Sequence, residues 1–398
     1  MKRPIFIIAG VVLVFILLGV WIYILFFGTP ENGTFGNLRF GDSTDTTVVL
    51  NDLQDEQSNQ PVVDVVNNER LRQLTTKPTV GYQVVQVDAS STPTVYYVES
   101  GTGHVFSINT ETGEESRVSS KTIPLSRKAA ITPNGQYVII QSGSGAGRET
   151  FIVNIGDDSN TQTVTLTEKI VDFVATTDNT FLYSAQTNDS TIVKHYYPIS
   201  DTSETVFTTP FREATIRWGS AASDTHYIYP KTTSQLEGFV YAAGNGKLNR
   251  IPVDGYGLSA YATNDYVLYS KQTLGQYKTH VYNQATGDTS TLSFTVIPEK
   301  CTAATFSNEY IICASEGINV TYDINIPDNW YKGVVTYSDN IWQINTAVGG
   351  ASLLLNTIQE SGRQLDMVDL RMIGNNANIY FLNKNDQTLW LFEQFPTS

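Results

Sequence analysis

An all-β array of seven four-stranded units, closed into a β-propeller behind a single N-terminal transmembrane helix, is the fold this 398-residue sequence predicts. Three observations predict it. Short apolar strands recur with a nearly constant period, and a strand-and-turn signature recurs with the same period. Beyond Phe27 no segment sustains a 3.6-residue apolar repeat, which excludes α/β alternatives whose helices would show one.

Taken in order, residues 1–4 form a cytoplasmic tip. Ile5 to Phe27 is a run of 23 residues without a charge. As a helix it spans roughly 35 Å, enough for a hydrocarbon core of roughly 30 Å. Lys2 and Arg3 precede it and no basic residue follows before Arg39, so the charge asymmetry leaves the N-terminus inside and the rest outside. A cleaved signal peptide would have a shorter apolar run ending in small residues. This one ends in Leu25-Phe26-Phe27-Gly28-Thr29-Pro30, so an uncleaved signal anchor is expected. Residues 28–69 are rich in Asn, Asp, Gln and Thr and read as a polar, flexible tether. Its Asp42, Asp45, Asp52 and Asp55 lack calcium-loop spacing.

Residues 70–398 repeat. Strands ending at Tyr97, Ile140, Tyr183, Tyr229, Tyr269, Ile312 and Tyr380 are separated by 43, 43, 46, 40, 43 and 68 residues. A period of roughly 40–45 residues is that of a four-stranded blade. Independently, an alternating strand followed by Asn109-Thr110-Glu111-Thr112-Gly113 returns at Asn283–Gly287 and Asn345–Gly349. Asn binds its own backbone in such turns, and glycine supplies the positive φ. The second blade is predicted at Lys128–Thr132, Gln136–Ser142, Thr150–Ile155 and Thr161–Thr167. The first begins with an inner strand at Gln83–Val87. The last unit ends after a third strand, Leu389–Phe392, while Arg70–Leu74 is a spare strand before the first blade. Arg70–Leu74 is therefore expected to close the ring as the last blade's outer strand, hiding the open edges.

Arg70-Leu71-Arg72-Gln73-Leu74, the turn Gly101-Thr102-Gly103-His104 and the segment Pro327-Asp328-Asn329-Trp330-Tyr331-Lys332-Gly333 resemble a group of bacterial single-pass, membrane-anchored WD40-like propellers. That group is broadly similar to the propeller of TolB, although a helix and tether stand here in place of TolB's folded N-terminal domain. The resemblance spans about residues 70–393. It implies a propeller and an envelope location, and it implies no activity.

Blade topology orients the molecule. Inter-blade connections and second-to-third-strand loops share one face, whereas the tether enters at the opposite end of an outer strand. The loop-bearing face is thus expected to point away from the membrane. It carries the one irregularity of the repeat, an insertion from Ser315 to about Tyr337 in the sixth blade. Tyr322, Asp328, Trp330 and Tyr331 in it are candidate binding residues for an envelope or surface protein, or a glycan; the alternative is that Trp330 and Tyr331 form the loop's own small core.

Motifs for chemistry are few. His104, His195, His226 and His280 are scattered and show no metal spacing. Ser142-Gly143-Ser144-Gly145-Ala146-Gly147 fits neither a nucleophile elbow nor a phosphate loop. No catalytic residue, cofactor or metal ligand is therefore assigned. Cys301 and Cys313 flank the sixth blade's first hairpin and are a candidate disulfide. With 25 basic against 39 acidic residues, nucleic acid is excluded as a partner. Setting Lys2 and Arg3 aside leaves an outer portion of −16. The leading expectation is a non-enzymatic interaction or scaffold module of the envelope. The alternatives are a propeller enzyme acting on glycans or another envelope substrate, and a small-ligand or cation module in the central funnel. Arg127, Arg217 or Arg371 near the axis would favour an enzyme or ligand site.

Overall fold

The computed structural model describes residues 70–85, 93–156, 162–244, 246–317, 325–374 and 377–394. The expected cytoplasmic tip, transmembrane helix (5–27) and tether (28–69) lie outside the described residues. Among those described, no helix is long and apolar enough to cross a membrane.

β1 (Leu71–Gln73) precedes the first blade. Blade one is β2 (Thr79–Val85), β3 (Thr94–Glu99), β4 (Val105–Asn109) and β5 (Glu115–Ser119). Blade two is β6 (Ser126–Ile131), β7 (Tyr137–Ser142), β8 (Glu149–Asn154) and β9 (Thr163–Leu166). Blade three is β10 (Ile170–Ala175), β11 (Phe181–Gln186), β12 (Thr191–Tyr197) and β13 (Thr202–Thr209). Blade four is β14 (Ala214–Arg217), β15 (His226–Pro230), β16 (Glu237–Gly244) and β17 (Lys247–Tyr256). Blade five is β18 (Ser259–Ala262), β19 (Tyr266–Thr273), β20 (Gln276–Asn283) and β21 (Thr289–Thr291). Blade six is β22 (Cys301–Ala303), β23 (Tyr310–Ser315), β24 (Asn340–Asn345) and β25 (Ala351–Leu355). Blade seven is β26 (Met367–Ile373), β27 (Asn378–Asn383) and β28 (Leu389–Phe392), with β1 as its outer strand.

This is the seven-bladed propeller the repeat predicts, and it closes as expected. Leu71 pairs with Phe392 and Gln73 with Trp390. Tyr82, Val95 and Tyr97 of blade one share a core with Tyr380, Leu389 and Leu391 of blade seven, so the ring is sealed by side chains as well as by the strand. Second strands are apolar on both faces, because each blade is sandwiched between two neighbours. β7 is buried at every position after its first, whereas β21 is exposed throughout. Buried tyrosines tie neighbouring blades through their hydroxyls: Tyr227 Oη of the second strand β15 donates to Thr263 O at 2.6 Å, and Tyr82 Oη of the inner strand β2 to Asp369 O at 2.6 Å.

β2 starts four residues before the expected strand because Gly81 is part of it. A Cβ there would lie 2.0 Å from Ala129 O, so glycine marks a close approach of blades one and two rather than a loop. Cys301 and Cys313 sit directly opposite each other in the β22–β23 ladder and are joined by a disulfide.

Candidate functional site

All seven inner strands begin on one face, where the inter-blade connections and second-to-third-strand loops also lie. Side chains at these starts therefore converge on the mouth of the central channel. Between blades two, three and four the face holds a cavity of ≈930 Å³. Its cationic lining is Lys128, Arg148, Lys169, Arg212 and Lys231; its acidic lining is Glu168, Asp172 and Glu213.

Asp172, third residue of β10, is held by three donors. Lys128 Nζ forms an ion pair with its Oδ1, which also accepts from Phe173 N at 2.8 Å, and Trp218 Nε1 donates to Oδ2 at 3.0 Å. Glu168 is similarly engaged, by Lys194 Nζ at 2.6 Å and Tyr183 Oη at 3.1 Å. Burial opposes its charge, but these partners hold its carboxyl below the usual value.

On the far side of the ring, Glu299 stands just before β22. No cation faces its carboxylate among the described contacts. Instead Oε1 accepts from Tyr229 Oη at 3.1 Å and from Tyr331 Oη. Burial pushes Glu299 up, the two hydroxyls pull against it, and the Asp172 charge pushes it further up. The channel mouth thus holds two carboxyl groups in unlike settings, one ion-paired and one driven toward its neutral form.

The sixth-blade insertion packs down onto this face. α1 (Asp328–Tyr331) follows Pro327. Trp330 is buried with Tyr277, Ile297, Ile326 and Tyr337, and its Nε1 donates to Asp366 at 3.1 Å. Asp328 accepts from Ser234 N at 2.9 Å and Thr233 Oγ1 at 3.1 Å, reaching blade four. Lys384 Nζ donates to Trp330 O at 2.5 Å from blade seven. Of the four candidate binding residues, Tyr322 lies outside the described residues, Trp330 is interior and Asp328 is spent on blade four. Tyr331 remains 39% exposed, with its hydroxyl on Glu299. Beneath the loop Lys300 Nζ is buried between Asp339 (2.5 Å) and Asp366 (2.7 Å).

Of the three arginines singled out, Arg127 is exposed and the other two are held by neighbouring groups. Arg217 donates to Tyr261 Oη at 2.7 Å, and Arg371 is paired with Asp369 at 2.9 Å and donates to Tyr82 O. The histidines stay apart; His226, for example, accepts from Gly219 N, and burial lowers it. Among the described residues no group of three or more His, Cys, Asp or Glu side chains is placed to hold a metal ion. Sequence reasoning did not single out Lys169, Arg212, Asp172 or Glu299. One signal was available: Lys169 and Arg212 stand 43 residues apart, one repeat, each just before an inner strand.

The sequence matches no protein family and is similar to no curated protein. Solved structures share the fold. An oligogalacturonate lyase in complex with manganese matches at 8% identity over 83% of this chain and 94% of its own, with a TM-score of 0.54. The oligogalacturonate lyase of Vibrio parahaemolyticus matches at 10% identity over 81% and 93%, with a TM-score of 0.52. The β-propeller domain of the Trilobed protease from Pyrococcus furiosus matches at 10% identity over 79% and 95%, with a TM-score of 0.47. At these identities the likeness shows the fold alone. The expectation that the chain is not an enzyme is corrected here: propellers of this shape include lyases, so the sparse motifs were no ground for excluding catalysis.

Proposed function

We propose that this chain is a propeller enzyme that cleaves glycosidic bonds of an envelope glycan at the channel mouth. The observation that carries the reading is the pair of carboxyl groups in unlike settings, Asp172 ion-paired to Lys128 and Glu299 pushed toward neutrality. Paired carboxyls whose surroundings separate their protonation states are the arrangement of acid–base glycan cleavage. Glu299 would give a proton to the leaving oxygen, and Asp172 would act as the ionised partner. Lys128 and Trp218 fix the Asp172 carboxylate in place. The ≈930 Å³ cavity that Asp172 lines lies near the upper end of the roughly 300–1,000 Å³ range of ligand sites. The two oligogalacturonate lyases of the same fold support a glycan substrate.

The apolar run Ile5–Phe27 and the preceding Lys2 and Arg3 support an anchored protein with its propeller outside the cytoplasm. The tether entering at β1 then supports a catalytic face turned away from the membrane, toward the surrounding envelope.

The test is release of new reducing ends from envelope glycans by the full chain in detergent. Glu299→Gln should lower the rate about 10²–10⁴-fold while leaving glycan affinity unchanged. Because the active form of Glu299 is protonated, activity should be present below its raised pKa and fall as pH rises through it. An unchanged rate in the folded variant refutes the assignment.

A further inference from the structure

We propose that the cavity over blades two to four binds a glycan bearing repeated anionic groups. The proposal rests on the glycan-cleaving reading of the same face and names the class of substrate. Five of the chain's 25 Lys and Arg residues line this one cavity, against three of its 39 acids. An excess of cations thus gathers in a chain whose net charge is −14. Lys128 is already neutralised by Asp172, and Lys231 meets Glu213 at 3.7 Å. Arg148, Lys169 and Arg212 form no ion pair among the described residues, although acids outnumber bases across the molecule.

Three unpaired like charges around one cavity repel one another, and that repulsion is relieved when anions enter. Their placement dictates the ligand's form. Arg148 leads into β8 of blade two, Lys169 precedes β10 of blade three, and Arg212 precedes β14 of blade four. A single small anion meets one of them. An extended ligand with an anionic group on successive units meets all three. Long nucleic acids are disfavoured, because beyond the cavity they face an acidic surface. A carboxylated oligosaccharide fits within the mouth.

The experiment titrates the full chain, in detergent, with oligogalacturonates of increasing length, with neutral galacto-oligosaccharides of matched length, and with inorganic phosphate. Affinity for the charged series should rise with length and weaken as salt is added, while neutral oligomers and phosphate bind weakly. Arg148→Ala, Lys169→Ala and Arg212→Ala should each weaken binding of the longer charged oligomers roughly tenfold, the lower end of what a charge-assisted hydrogen bond contributes. Neutral oligomers bound and cleaved as well as charged ones would overturn this inference and leave the glycan-cleaving function standing. Charged oligomers bound with this length and salt dependence but never cleaved would support the inference and overturn the function. Affinity unchanged in the folded triple variant, or no binding of either series, would overturn the inference.

Discussion

Lys300 shows how much one buried charge organises. It is 1% exposed and touches two carboxylates, one of which, Asp366, also accepts from the Trp330 indole and from Tyr337 N. Asp366 therefore holds the insertion to the ring as well as compensating the ammonium. Asp366→Ala should destabilise the protein by about 3–5 kcal/mol, as removal of one partner from a buried ion pair does. Chemical denaturation measures this; a loss below about 1 kcal/mol would show that Asp339 alone suffices. None of it was legible in sequence, because Lys300, Asp339 and Asp366 are far apart along the chain and their types are ordinary on a surface. The Asn turns are the opposite case. Asn109 Oδ1 accepts from Glu111 N and Thr112 N at 2.9 and 3.0 Å, and Gly113 has a φ of +71°. Asn283 and Asn345 repeat the geometry, so three local signatures could be read without any knowledge of the ring.

Among hairpins, β19–β20 breaks the rule those turns obey. Its two-residue loop places Leu274 at φ +50° and 99% exposed, followed by Gly275 at +79°. Both central residues of such a turn need positive φ, which Asn–Gly tolerates and leucine does not. Leu274→Asn should stabilise the fold by about 1 kcal/mol, read as a higher melting temperature; a lower one would show that the leucine contributes to packing. Second strands such as β7 and β27 were legible because both faces are buried. Inner strands were read less well. β2 was placed late because Gly81, needed for contact with Ala129, looks like a loop residue in isolation. The sixth-blade insertion was legible as an interruption of the period, but not as a strap fastened to blades four and seven. Those fastenings run through Asp328, Trp330 and Lys384, whose partners belong to other repeats.

The ring as an assembly depends on β1. Leu71 is fully buried, in the core between blades six and seven, although it belongs to a strand of only three residues. A chain starting at residue 70 should retain the cooperative melt of the full chain, whereas one starting at residue 75 should lose the β28 ladder and melt at least 5 °C lower, about 3 kcal/mol for a domain this large. Circular dichroism of both truncations decides; equal melts would mean that side chains close the ring without the strand. The site at the mouth was the least legible feature. Asp172 belongs to blade three and Glu299 to the entry of blade six, and only the stacking of blades around the axis brings the charge of one to bear on the other.

The closing strand also has a mechanical meaning. Everything N-terminal to the propeller joins it through Arg70, whose carbonyl accepts from Glu393 N at 2.8 Å beside the first rung of the three-residue ladder. Any pull transmitted along the preceding chain arrives first at this short seam, before it reaches the blade cores. Sufficient tension there would peel the clasp and open the circle between blades seven and one. That seam lies outside the unbroken run of blades three to six, so Asp172 and Glu299 would stay joined through blades four and five after the circle had opened.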